Sequence, residues 1–199
     1  MKKIILLTAM TIISLMAIAQ NNDSFTEEEM TNRDVTTFLG IPVDGRKDDV
    51  ILELIMKGFA PKSTGDGMEF LQGQFNGQEV MILVVAYQKK VFRVYLQEKN
   101  TQSAGDIKMH YNNLVRQFEN DQNYIKPDKD QTIPEDVNIS DEMNGKERVF
   151  FAEFYQKNKA EGQNQHKKKV WFMIGRRDAE YFIATFYDNE YNMPEGDEQ

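Results

Sequence analysis

The sequence predicts an α+β protein in which two helix-plus-three-strand (αβββ) units form one antiparallel sheet, with the helices packed on one face. Three observations carry this. Two stretches of helical period are each followed by three strand-like runs. The connections between runs are short, which suits antiparallel meanders and not parallel crossovers. The halves, about 35–100 and 101–191, repeat the same order of elements without aligning residue by residue.

The first nineteen residues, MKKIILLTAMTIISLMAIA, come before any of these elements and have the form of a cleavable secretory signal. Lys2 and Lys3 give the charged start, 4–16 the apolar run, and Ala17-Ile18-Ala19 the cleavage site before Gln20. The apolar run falls short of the about 20 residues a bilayer span takes. Residues 20–34 (QNNDSFTEEEMTNRD) read as a flexible polar leader, 35–191 as a single domain, and 192–199 (NMPEGDEQ) as an acidic tail. The expected product is exported, periplasmic or secreted, and not an integral membrane protein.

Within the domain, Val50, Ile51, Leu54, Ile55 and Phe59 recur near helical spacing, which predicts a helix over 48–57. Asp48 and Asp49 suit its first turn, and Gly58 suits the left-handed position just past its end. At three turns such a helix is marginal alone and must dock on an apolar sheet face. Strands are predicted over 68–75, 79–87 and 90–98, the first two joined by the hairpin signal Asn76-Gly77. The second run, VMILVVAY, is apolar on both parities and so reads as covered on both sides. The third splits into Phe92, Val94 and Leu96 against Arg93, Tyr95 and Gln97, a half-buried strand.

The second helix is predicted from the stripe Ile107, Tyr111, Leu114, Val115 and Phe118, with Ser103 as its N-cap. Residues 121–146 hold Pro127, Pro134 and Gly145 without a regular period and read as a surface loop. Three aromatic and β-branched runs, 148–155, 168–174 and 180–187, complete the second unit.

Two segments carry a resemblance. FLGIPVDG at 38–45 with Lys57-Gly58-Phe59, and YDNEYN at 187–192 with Gly196-Asp197-Glu198, are similar to the opening and closing segments of small exported Bacteroidetes proteins of unknown function. The helix-plus-meander repeat resembles the β-lactamase-inhibitor-protein-like and outer-membrane-assembly lipoprotein (BamE-like) folds. Those folds imply protein–protein binding through a sheet face or loops. The chain departs from the lipoprotein pattern because it lacks the anchoring cysteine.

Composition narrows the chemistry. There is no cysteine, which removes disulfides, thiol catalysis and thiolate-held metals. Loss of Lys2 and Lys3 with the signal takes the formal charge from −8 to −10, which repels phosphate backbones and argues against nucleic acid. His110 and His166 sit in no metal-ligand spacing, so neither a metal nor another cofactor is expected. Asp128-Lys129-Asp130 begins like a calcium loop but lacks its glycine and its twelfth-position glutamate.

The reading that follows is an exported, soluble, non-enzymatic binding or interaction protein. The alternative is a small envelope hydrolase or carbohydrate-processing protein using a carboxylate pair, with Glu153 in FFAEFY as the acid of interest. Two surfaces are candidates for a partner. Lys157, Lys159, His166, Lys167, Lys168 and Lys169 form a basic hairpin loop fit to steer an acidic envelope or secreted protein, or an anionic glycan. Tyr95, Tyr155 and Trp171 would lie on the open sheet face and bind a protein or sugar by stacking.

Overall fold

FLGIP folds as a miniature hairpin: strands β1 (Thr37–Phe38) and β2 (Ile41–Pro42) are joined by Leu39 and Gly40, both at positive φ (52° and 79°). The structure, a computed structural model, describes residues 33–63, 69–159 and 165–194. The expected signal peptide with Ala17, Ala19 and Gln20, the leader up to residue 32 and the tail from 195 lie outside the described residues. From Asp34 onward the described residues form one compact unit.

After the hairpin come α1 (Lys47–Met56), β3 (Ala60–Ser63), β4 (Glu69–Phe75), β5 (Gln78–Tyr87) and β6 (Lys90–Glu98). The second half holds α2 (Ala104–Asn120), β7 (Tyr124–Ile125), α3 (Ile139–Gly145), β8 (Phe151–Gln156), β9 (Lys168–Arg177) and β10 (Glu180–Asn189). The fold is mixed α and β, with three α-helices among the described residues and a large sheet of eight antiparallel strands in the order β3-β4-β5-β6-β10-β9-β8-β7. Its centre is the β6·β10 pairing, where Leu96 faces Thr185 and Val94 faces Tyr187. Tight turns set the registers. Asn76 and Gly77 (φ 53° and 78°) close β4·β5, and Gln88 and Lys89 (φ 47° and 68°) close β5·β6, as two-residue hairpins require.

The helices sit over one face of the sheet and bury two adjoining clusters. The first gathers Val50 and Leu54 of α1 with Ile82, Val84, Val94, Leu96 and the hairpin residues Phe38, Ile41 and Val43. The second gathers Ile107, Tyr111, Leu114 and Val115 of α2 with Phe154, Phe172, Ile174 and Ile183. Phe118 packs against both. With no disulfide, these clusters must supply the stability, at about 1.5–3 kcal/mol for each large side chain fully buried. Gly73 allows one of the closest approaches: a Cβ built there would lie 2.5 Å from the Phe59 ring.

Ser103 caps α2, its Oγ accepting from the Asp106 amide at 3.2 Å. Ser103→Ala is expected to cost about 1 kcal/mol, read as a lower urea midpoint at constant slope. A loss under 0.3 kcal/mol would mean that water replaces the cap.

Several expectations are corrected. The stretch 121–146 is not a bare surface loop. It contains β7 and α3, and it buries Ile133 and Ile139 in the second cluster. Side-chain amides hold it in place of a regular ladder: Asn112 bonds the Ile133 amide (2.7 Å) and carbonyl (2.9 Å), and Asn138 caps α3. Four-residue β3, with Pro61 inside it, is an added outermost strand. β5 is buried in the core through Val80, Ile82 and Val84, while Met81, Leu83 and Val85 on its other face stay half-buried.

The opening and closing motifs meet. Phe38 packs on Tyr187 with ring centroids 4.9 Å apart, the Asn189 side chain donates to the Val43 carbonyl at 2.8 Å, and that of Asn192 to Asp44 at 2.6 Å. These motif residues close the two ends of the domain on each other.

Candidate functional site

Side chains alternate across strands, so the residues not buried under α1 and α2 define a second sheet face. The registers line them up in three rows. The first runs Phe151, Met173, Ala184, Gln97, Met81, and the second Glu153, Trp171, Phe186, Tyr95, Leu83. The third runs Tyr155, Lys169, Asp188, Arg93, Val85.

The middle row is an aromatic stack. Trp171 and Phe186 are parallel within 6° at 3.8 Å, and Tyr95 follows at 5.1 Å from Phe186. Beneath it, Asp188 is almost fully buried and accepts three bonds: two from Arg93 (2.7 and 2.9 Å) and one from Trp171 Nε1 (2.7 Å). Arg93 also lies 5.2 Å from the Phe186 ring centre, within cation–π range. The stack is therefore fixed at its base by one carboxylate. At the end of the first row, Phe151 is 54% exposed.

Two ion pairs lie beside the aromatic row. Lys169 Nζ lies 2.9 Å from Glu153 Oε2, and Arg93 is bonded to Asp188. Burial works against the Lys169 ammonium, but the hydrogen bond and charge of Glu153 outweigh it and raise its pKa. Burial, with the Glu153 charge nearby, raises the pKa of Tyr155, and burial raises that of Tyr95 against the pull of Arg177. Both phenols stay neutral at physiological pH.

The residues of the basic hairpin are dispersed. Lys168 is buried, 2.8 Å from Asp34 Oδ1, and its Nζ also donates to the Lys157 carbonyl. Burial opposes charge on Asp34, but bonds from Lys168 and the Lys159 amide prevail and lower its pKa. Lys169 belongs to the open face, Lys167 lies 3.8 Å from Glu190, and the His166 ring meets Tyr155 edge-on at 5.1 Å. Lys157 and Lys159 are exposed. Of the three aromatic candidates, Tyr95 and Trp171 share the middle row and Tyr155 ends the third. Phe186, Arg93 and Asp188 were not singled out from the sequence. The long-range β6·β10 register brings them together, and the β9·β10 hairpin sets Trp171 beside Phe186.

On the opposite face, between α2 and the sheet, lies a cavity of about 290 Å³. Its walls are Leu96, Leu114, Phe118, Phe75, Tyr124 and Tyr187, and Glu98 and His110 meet in it. His110 Nε2 is 2.8 Å from Glu98 Oε1. That bond and the carboxylate charge raise the histidine pKa over the opposing effect of burial. A histidine raised in the folded state stabilises fully below its unfolded pKa of about 6.5 and loses this contribution as pH rises through the folded value. Wild type is thus expected to lose stability between pH 6 and 8.5 relative to His110→Gln. Parallel urea curves at both pH values check this, and an equal change in both proteins would exclude His110 as the cause.

Among the described residues no helix is long and apolar enough to cross a membrane, and no three His, Asp or Glu side chains are grouped to hold a metal ion. Comparison of the chain with protein-family models, with curated proteins and with solved structures gives no match.

Proposed function

We propose that the chain is an exported, non-enzymatic interaction protein whose open sheet face takes a protein partner. The carrying observation is the stack Trp171–Phe186–Tyr95 fixed on the buried Asp188. Rigid aromatics with arginine and methionine, flanked by polar residues, are the composition of interface centres and energetic hot spots. Around the aromatic row the charges are matched as Lys169–Glu153 and Arg93–Asp188, so the part of the partner that meets this centre is near neutral and apolar. A stacking sugar would find one side of Trp171 taken by Phe186. The same pairing weighs against a hydrolase built on Glu153, since catalysis by two carboxylates needs them across a cleft. Export rests on residues 1–19, with cleavage before Gln20. The sheet is best read as two αβββ halves, each extended by a short strand (β3 and β7) and joined at β6 and β10.

The absence of cysteine makes the test clean. A single Phe151→Cys, carrying a benzophenone, places a photo-crosslinker on the open face. Met109→Cys, on an exposed position of α2, is the control. Each labelled protein is illuminated with envelope extract. The expected result is one discrete adduct from position 151, competed by excess unlabelled protein and not by a Trp171→Ala, Leu83→Lys protein. Equal adducts from both positions, or none from 151, would remove the face from consideration. A product at twice the mass of the labelled chain would assign it to self-association instead.

A further inference from the structure

Glu98, in the lining of the cavity under α2, carries a polar atom that the fold leaves unanswered. Glu98 is 8% exposed and lies on the helix-covered side of β6. One of its oxygens accepts from His110, while Oε2 is shielded from solvent without a hydrogen-bond partner. A buried carboxylate oxygen left unpaired is costly, so a donor from outside the fold would be stabilising there. The surroundings define that donor. The walls are apolar and aromatic, no lysine or arginine lines the cavity, and Asp121 adds a second carboxylate at its rim. Asn113 and Gln117 add polar contacts from α2, and Asn76 and Gln78 from the β4–β5 turn. This is the form of small-molecule sites generally, an apolar pocket with a few convergent polar groups, at the small end of their size range.

We infer that this cavity binds a small organic amine, its ammonium pairing with the Glu98 carboxylate, which turns Oε2 toward it, and its apolar body lying among Phe75, Phe118, Tyr124 and Leu114. Anionic ligands are disfavoured by Glu98 and Asp121, and the aromatic walls favour a cationic head. The site lies across the sheet from the Trp171 stack, so it stands or falls independently of the proposed partner face.

The test uses residues 20–199 with benzylamine as probe, benzyl alcohol as its neutral analogue and benzoate as its anionic one. Amide chemical shifts are followed by NMR titration. Benzylamine is expected to shift the Glu98, His110, Asn113 and Gln117 resonances saturably, with benzoate causing no saturable change and benzyl alcohol binding at least tenfold more weakly. Glu98→Gln, nearly isosteric, is expected to weaken benzylamine at least tenfold, and Glu153→Gln on the open face to leave it unchanged. Leu114→Trp, which fills the cavity, is the second variant and should abolish binding even if Glu98→Gln does not fold. No saturable shift with benzylamine up to 10 mM (a ceiling of about −3 kcal/mol in affinity), equal binding of benzoate, or binding insensitive to both variants would overturn the assignment and leave Oε2 to a buried water.

Discussion

Asp188→Asn is expected to lower stability by about 2–4 kcal/mol. Removing one partner of a buried charge pair costs roughly 3–5 kcal/mol, and the 24% side-chain exposure of Arg93 lets water recover part of it. The loss has two components. The guanidinium keeps its charge without its bidentate acceptor, and asparagine has only one oxygen for the Arg93 and Trp171 donors. For a domain of this size the midpoint of thermal unfolding should fall by about 5–15 °C. Trp171 is the sole tryptophan, so its emission reports the same event locally. Adding Arg93→Met to Asp188→Asn should restore part of the loss, because the stranded cation is gone. If Asp188→Asn costs less than 0.5 kcal/mol, the buried carboxylate does not anchor the aromatic row.

Gly73→Ala is expected to cost about 2–3 kcal/mol through overpacking, a large effect for a single methyl group. The new Cβ would sit 2.5 Å from Phe59 Cδ1 and 3.0 Å from Cε1. Phe59 cannot swing aside, being buried at 4% exposure and 6.4 Å from the Phe38 ring centre. Backbone conformation is not the cause, since Gly73 is an ordinary strand residue paired with Val80. Phe59→Leu should therefore rescue the variant at least partly, and urea unfolding of the double-mutant cycle measures the coupling. Additive losses would place the strain elsewhere.

What the sequence made legible was local. The α2 stripe and the Ser103 cap were visible because their spacing is a few residues and their chemistry is specific. So was the Asn76-Gly77 turn, and with it the parity of β6, whose Arg93, Tyr95 and Gln97 do share the open face. What was not legible depended on partners far along the chain. The bond from Arg93 to Asp188 spans 95 residues, and nothing in either neighbourhood announces it. The buried role of Lys168 needed Asp34, 134 residues away. The stretch around Ile133 and Ile139 lacked periodicity because single apolar residues plug the core there between side-chain amides that replace a ladder. His110 was noticed but not its partner, since Glu98 ends a strand and His110 lies within the next helix.

The outer strands of the sheet have a consequence for the protein's behaviour at high concentration. A long free strand edge templates pairing with other chains, and an aromatic sheet face without disulfides to lock it would aggravate the hazard. One edge here is β3, four residues long and interrupted by Pro61, which has no amide to offer a neighbour. The other is two-residue β7, and beyond it Gln131 uses its side-chain amide to satisfy both the amide and the carbonyl of Glu153 on β8. Fibrillar stacking is thereby discouraged at both ends, so such a molecule can keep a sticky face available for recognition and still resist amyloid-like polymerisation.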